Sequence, residues 1–138
     1  MPIMQVHIET SAYSRDQLHR FLVRISRVYA EVLESPIERI RVLIHDYPPD
    51  LIAIGGKVTA DTGETAPFFE AFLLEGRPLA QQHAVLAKAT DVIVECLGAR
   101  RDLVRGVCHM VPPERWGIAG LPAASLRSAE ITERNNHK

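Results

Sequence analysis

The chain is built from two copies of one sequence pattern. Residues 40–56 (IRVLIHDYPPDLIAIGG) align without a gap with residues 104–120 (VRGVCHMVPPERWGIAG). Arg41 matches Arg105, and both segments carry two prolines followed by an acidic residue and end in glycine. An internal repeat of this length restricts the chain to folds in which one supersecondary unit packs against a second copy of itself.

The front halves of the copies agree as well. Pro2 matches Pro67, and the first copy holds one extra residue near 11–13. We therefore predict a single domain, divided into a repeat at 2–56, a small and polar linker at 57–66, a repeat at 67–120 and a tail at 121–138. The tail is polar and is predicted to be partly disordered or to form an interface arm.

Each copy is predicted to fold as strand, helix, strand. In the first, residues 3–8 read as a strand, and Ser14 with Gln17 forms a capping-box signature that opens a helix. Apolar residues then recur at three- and four-residue spacing, which predicts one buried helical face: Leu18, Phe21, Leu22, Ile25, Tyr29, Val32 and Leu33. Ser35-Pro36 ends the helix, and residues 40–45 supply the second strand.

The second copy follows the same plan. A strand is predicted over Phe68–Leu74, a helix with Pro78 as an early residue and Gly98 at its close, and a strand over 104–110. The fold class is therefore α+β, with tandem βαβ units forming a four-stranded sheet and two helices on one face. Apolar residues occur at both parities of the strands, so the far face is expected to be covered in an oligomer.

Composition excludes several classes of protein. A formal net charge of -1 provides no basic surface for nucleic acid, and 46% hydrophobic with 24% charged residues argues against disorder. Because the sequence lacks an apolar run of about 18 residues and a signal-peptide pattern, we predict a cytoplasmic protein with no membrane partner. Cys96 and Cys108 read as buried reduced thiols, and the six histidines lack a ligand spacing, so no metal site is predicted.

The opening MPIMQVHI, the run Leu74-Glu75-Gly76-Arg77 and the segment VPPERWGIAG at 111–120 together resemble the tautomerase superfamily. They are similar to the start, the first arginine and the closing hairpin of 4-oxalocrotonate tautomerase. The resemblance covers both repeats, so it implies a fused two-unit member of the family. It also implies a tautomerase fold and a homotrimer.

The resemblance implies a catalytic role for Pro2, Arg77 and Arg105, and substrate binding by Arg41, Trp116 and Tyr29. Removal of Met1 would leave Pro2 with a free secondary amine, and such a group titrates near neutral pH and suits a general base. Pro67 lies inside the chain and has no free amine, so one proline-based site per chain is expected. Which of Arg41 and Arg105 lines the Pro2 pocket is open.

The activity implied is a keto–enol tautomerase that needs no cofactor and acts on a small carboxylate, an enolisable 2-hydroxy(di)enoate or 2-oxo acid. Arginines would hold the carboxylate through paired hydrogen bonds. Two alternatives stand beside it: a cofactor-independent hydratase or dehalogenase of acrylate-type acids, and a non-catalytic oligomeric homologue. The dehalogenase is disfavoured because Tyr29 and Leu74 stand where a dehalogenase of the family carries histidine and arginine.

Overall fold

The structure is a computed structural model that describes residues 2–127, 131–133 and 136. Its main elements are β1 (Ile3–Ile8), α1 (Arg15–Leu33), β2 (Arg41–Asp46), β3 (Ala53–Ile54), β4 (Lys57–Val58), α2 (Thr59–Thr62), β5 (Phe68–Leu74), α3 (Leu79–Leu97), β6 (Arg105–Val111), β7 (Gly117–Ile118), β8 (Leu121–Pro122) and α4 (Ala123–Leu126).

Four long strands form one sheet in the order β2-β1-β5-β6. β1 pairs with β2 and β5 pairs with β6 in parallel, whereas the two units meet through the antiparallel pair β1 and β5. Alternate residues of β1 are buried, because side chains of a strand point to opposite faces. Helices α1 and α3 pack on each other over the buried face, which confirms the predicted fold. The opposite side of the sheet is here called the outer face.

The helix boundaries follow local sequence. The Ser14 hydroxyl accepts a hydrogen bond from the backbone N–H of Gln17, so α1 begins where the capping signature predicts. The Gln17 side chain does not close the box but donates to the Cys96 carbonyl at the end of the other helix. α1 ends at Glu34 and α3 at Gly98, both with positive φ. The predicted apolar face of α1 is confirmed by its buried residues Phe21, Ile25, Tyr29, Ala30 and Leu33.

The two units fill equivalent positions on neighbouring strands with residues of different size. In the first unit Met4 lies beside Val42, and in the second the equivalent pair is Phe69 beside Gly106. A Cβ atom added to Gly106 would overlap the ring of Phe69. The larger aromatic side chain is therefore accommodated by a glycine on the neighbouring strand, which conserves volume under the helices.

A short hairpin and one helical turn close each unit. The backbone N–H of Thr59 donates to the Ile52 carbonyl at 2.9 Å, and the equivalent Ala123 N–H donates to the Trp116 carbonyl at 2.8 Å. The structured repeat thus continues through residues 57–62 in one unit and 121–126 in the other. β2 and β6 each start and end one residue later than predicted, and Pro78 is the N-cap of α3 rather than a helical residue. For residues 128–130, 134–135 and 137–138, the prediction made for the tail lies outside the described residues.

Candidate active site

The two prolines that open the repeats lie at opposite ends of the sheet. The Pro2 carbonyl accepts a hydrogen bond from the Arg41 backbone N–H at 3.1 Å, and the Pro67 carbonyl accepts one from Arg105 at the same distance. Each proline is thus tied to the arginine of its own repeat. Because β1 and β5 run antiparallel, the two proline–arginine pairs are separated by the length of the strands.

Within one chain, Arg41 lies at the Pro2 end of the sheet and Arg105 lies at the other end. Ile3, next to Pro2, pairs with Arg41 on β2 and with Phe72 on β5. Arg105 pairs with Phe68, four residues along β5 from Phe72, which corresponds to about 13 Å. Arg41 is exposed and lies on the outer face with Ile3, whereas Arg105 can approach a Pro2 site only as a residue of another copy.

Arg77 follows β5 in the turn that leads to α3, at the Pro2 end of the sheet. Its side chain is only 8% exposed, and its guanidinium donates to the Leu33 carbonyl at 2.8 Å and to Gln81 Oε1 at 3.1 Å. The carbonyl belongs to the last turn of α1, where a cation is favoured. Arg77 therefore joins the two helices at the Pro2 end of the sheet.

Tyr29 is buried beneath β1, with 2% of its surface exposed, and its hydroxyl donates to the Ile3 carbonyl at 3.3 Å. Burial raises the pKa of this phenol well above its ordinary value, while the nearby Arg77 acts in the opposite direction. Tyr29 is therefore a neutral hydrogen-bond donor that holds the strand carrying Pro2. This contact favours a positioning role over direct substrate binding.

Trp116 lines an open depression of about 280 Å³ on the outer face at the Pro2 end of the sheet. Ile3, Phe72 and Val111 form its floor, and Arg115 lies at its side. The remaining lining residues are Gln5 and Gly117. The structure thus brings the predicted Trp116 next to the strand that carries Pro2, although the two come from different repeats. Arg115 was missed from the sequence, and its position beside Trp116 in the repeat was the available signal.

The equivalent region at the Pro67 end is almost filled. It holds a cavity of only about 20 Å³, whose lining includes Pro67, Tyr13 and Ile52. Ile52 stands where the second repeat has Trp116, and Tyr13 stands where it has Arg77. Burial raises the pKa of the Tyr13 phenol, so this side chain supplies no charge there. The two ends of the sheet have therefore diverged, and the roomier end is that of Pro2.

A polar network crosses the middle of the outer face. Glu70 accepts hydrogen bonds from His7 Nε2 at 2.7 Å and from His109 Nε2 at 3.0 Å, and His7 Nδ1 lies 2.7 Å from the Tyr47 hydroxyl. The hydrogen bond from His7 is the main cause of a lowered pKa at Glu70. Three of these residues come from the strands β1, β5 and β6, and Tyr47 directly follows β2, so no spacing in the sequence indicates the network.

Other reactive groups contribute little to this end of the sheet. Cys96 and Cys108 are free thiols whose pKa values are raised by burial, which keeps them protonated and poorly nucleophilic. Among the residues that the structure describes, histidine, cysteine, aspartate and glutamate form no group of three or more that could hold a metal ion. The described helices also include none with the length and hydropathy to cross a membrane.

Comparison with known proteins also finds two repeated units in the chain. The family model of the tautomerase enzymes matches residues 2–62 and 67–125, one match for each unit. A 2-hydroxymuconate tautomerase from Comamonas testosteroni is 47% identical over 60 residues, which is 95% of that protein and 44% of this chain. The curated relative therefore corresponds to one of the two units.

Solved structures match both units at once. The native fused 4-OT (4-oxalocrotonate tautomerase) superposes with a TM-score of 0.84 at 25% identity, covering 90% of this chain and 98% of that one. A fused 4-OT described as a symmetric trimer has a TM-score of 0.81 at 27% identity, with 89% and 98% covered.

Two proline-headed βαβ units in one sheet, with arginines at the ends of its strands, define a protein of the fused tautomerase class. The chain belongs to the tautomerase family, with both of its units matched by the family model.

Proposed function

We propose that this chain is a cofactor-independent tautomerase that moves a proton within an enolisable 2-hydroxydienoate or 2-oxo acid, with the free amine of Pro2 as general base. The observation that carries the proposal is the meeting of four segments at one end of the sheet. Pro2, Arg41, the Arg77 turn and the hairpin that carries Trp116 all lie there, beside the larger of the two cavities.

The proton transfer needs only groups of the protein. The neutral nitrogen of Pro2 takes the proton of the 2-hydroxyl group, the oxygen electron pair forms the ketone, and the proton returns to a carbon of the former diene. Arg41 holds the carboxylate, and the charge of Arg77, which is hydrogen-bonded to Leu33 and Gln81 at the same end of the sheet, helps to stabilise charge that develops on the oxygen. Trp116 excludes water, which strengthens those contacts.

We also propose that the protein works as a homotrimer, as one fused relative is described. The outer face supports this, because it carries apolar side chains such as Leu43, which is 49% exposed, around its polar network. In that assembly Arg105 would serve the Pro2 site of a neighbouring copy. Light scattering should then give about three times the chain mass of 15.4 kDa. The cytoplasmic location stays a prediction, which fractionation would check.

Ketonisation of 2-hydroxymuconate and phenylenolpyruvate by the purified protein tests the activity, with intact mass recorded to show that Pro2 is terminal. Pro2→Ala should lower kcat/KM by at least about 100-fold, because the primary amine of alanine lacks the ring that fixes the position of the nitrogen, and a positioned base contributes on the order of 10² to 10⁴. Pro67→Ala is the matched control and should retain activity, since Pro67 has no free amine. Equal rates in the Pro2 and Pro67 variants would refute the proposal.

Absence of ketonisation in a protein with a free Pro2 would favour the alternatives. Turnover of an acrylate-type acid would then identify a hydratase or dehalogenase. Binding without turnover would identify a non-catalytic homologue.

A further inference from the structure

We propose that Arg115 binds the second carboxylate of a dicarboxylate substrate, the one remote from the 2-hydroxyl group. The inference rests on the proposed function and deepens it, because it makes Arg115 the residue that selects diacids over monoacids. Three observations support it. Arg115 lines the depression beside Trp116, its guanidinium has no described partner, and the first repeat lacks this arginine.

The depression provides one charge in apolar surroundings. Of the described residues that line it, Arg115 alone is charged, and four of the others are the apolar or aromatic Ile3, Phe72, Val111 and Trp116. A guanidinium at an apolar wall attracts a carboxylate more strongly than one in open water, because the local dielectric is lower. Its planar fork can donate a hydrogen bond to each of the two carboxylate oxygens at once.

Arg115 is also available for a ligand. Within residues 2–127, 131–133 and 136 its guanidinium has no ion pair or hydrogen bond, and the residue is exposed. Three other exposed arginines are paired with carboxylates of the chain itself: Arg24 with Glu95, Arg100 with Asp102 and Arg101 with Asp91. An anion from solution can therefore bind at Arg115 without displacing a described partner.

The second repeat has an arginine at this position, and the first repeat does not. The dipeptide Arg115-Trp116 corresponds to Leu51-Ile52 in the first repeat. Ile52 lines the small cavity at the Pro67 end, whereas Arg115 and Trp116 line the large one. The end of the sheet with the proline that can carry a free amine thus also has the added cation and the added aromatic side chain.

The position of Arg115 suits a diacid. Strand order puts β2 on one side of β1 and β5 and β6 on the other. Arg41 on β2 therefore approaches Ile3 from one side, and Arg115, beside Phe72 and Val111, approaches it from the other. A conjugated acid with a carboxylate at each end can lie across Ile3 between the two guanidinium groups, which a monoacid cannot do.

Binding can be measured without turnover, because Trp116 is the only tryptophan in the sequence and lines the depression. The probes are muconate and sorbate, two hexadienoic acids of equal length with two carboxylates and one. Neither carries the 2-hydroxyl group. Titration of Trp116 fluorescence should show that muconate binds at least about tenfold more tightly than sorbate, since a hydrogen-bonded charge pair contributes a factor of that order.

Arg115→Leu, which restores the residue of the first repeat, should remove this preference by weakening muconate and leaving sorbate unchanged. Arg115→Lys should keep part of it, and Arg27→Leu, an exposed arginine on α1, should keep all of it. A preference that survives in Arg115→Leu, or that is absent from the unaltered protein, would overturn the inference. Pro2→Ala should retain the preference, so failure of the proposed base is distinguished from failure at Arg115.

Discussion

Tyr29 contacts the strand that carries Pro2 through its hydroxyl group. Its hydroxyl is buried and bound to the Ile3 carbonyl, one residue from Pro2. The sequence indicates only that this position is on the apolar face of a helix, and the resemblance suggests a substrate contact. The hydrogen bond depends on how α1 packs over β1, which spacing along the helix does not reveal.

Tyr29→Phe should therefore lower the free energy of unfolding by about 1 kcal/mol, the usual contribution of one such hydrogen bond. KM should stay within about twofold while kcat falls, because Pro2 becomes less well positioned but the substrate loses no contact. Urea unfolding and steady-state kinetics measure both. Tyr13→Phe, at the Pro67 end, is the control. A large rise in KM with unchanged stability would show instead that Tyr29 binds substrate.

Among the other site residues, Trp116 and Arg41 lie at the Pro2 end as the repeat alignment allows. Arg77 carries contacts that sequence does not indicate, because its partners are a carbonyl of α1 and a side chain of α3. Within one chain, Arg41 and not Arg105 lies near Pro2, because β1 of the first unit pairs antiparallel with β5 of the second. That arrangement is a property of tertiary structure.

At the scale of the elements, the repeat, helix periodicity and caps predict the four strands and two long helices almost to the residue. Periodicity does not indicate the hairpins β3–β4 and β7–β8, because two-residue strands are too short to show it, and only the resemblance implies a closing hairpin at 111–120. They matter for function, since the second hairpin carries Trp116.

The pair Phe69 and Gly106, which is equivalent to Met4 and Val42, allows a test of how the core of the second unit packs. Gly106→Val should destabilise the protein by about 1–3 kcal/mol, because the new side chain overlaps the Phe69 ring. Adding Phe69→Met recreates the pair Met4 and Val42 of the first unit and should recover most of the loss. Thermal or urea unfolding of the single and double variants measures the coupling. Additive effects would contradict this account of the packing.

At the scale of the whole molecule, the outer face combines exposed apolar side chains with the network of His7, Glu70, His109 and Tyr47. A homotrimer would bury the part of this face that carries the network, and the network would then lie inside the assembly. Sequence predicts that the face needs covering but not that a carboxylate and two imidazoles meet there, because the strand register brings them together.

This network predicts a dependence of stability on pH. The folded pKa of Glu70 lies below its ordinary value of 4.5, mainly through the hydrogen bond from His7. Its contribution is therefore present above pH 4.5 and is lost as the pH falls through the lowered folded pKa. The neighbouring titratable groups on the same face are His7, His45, His109 and Tyr47.

Glu70→Gln should reduce stability at about pH 6 and have a smaller effect at about pH 3, which lies below the ordinary pKa of 4.5. Urea unfolding at fixed protein concentration measures the difference, since the apparent stability of an oligomer depends on concentration. His19→Gln, on α1, serves as the control. A difference that is the same at both pH values would contradict the assignment.

In the proposed reaction, the free secondary amine of Pro2 performs the chemistry. The most direct test is kcat/KM for 2-hydroxymuconate with a Gly-Ser extension placed before Pro2, which turns the amine into an amide and leaves every side chain of the chain in place. We predict a fall of at least about 100-fold, with unchanged circular dichroism and assembly mass. Full activity in protein whose intact mass shows the extension retained would contradict the account.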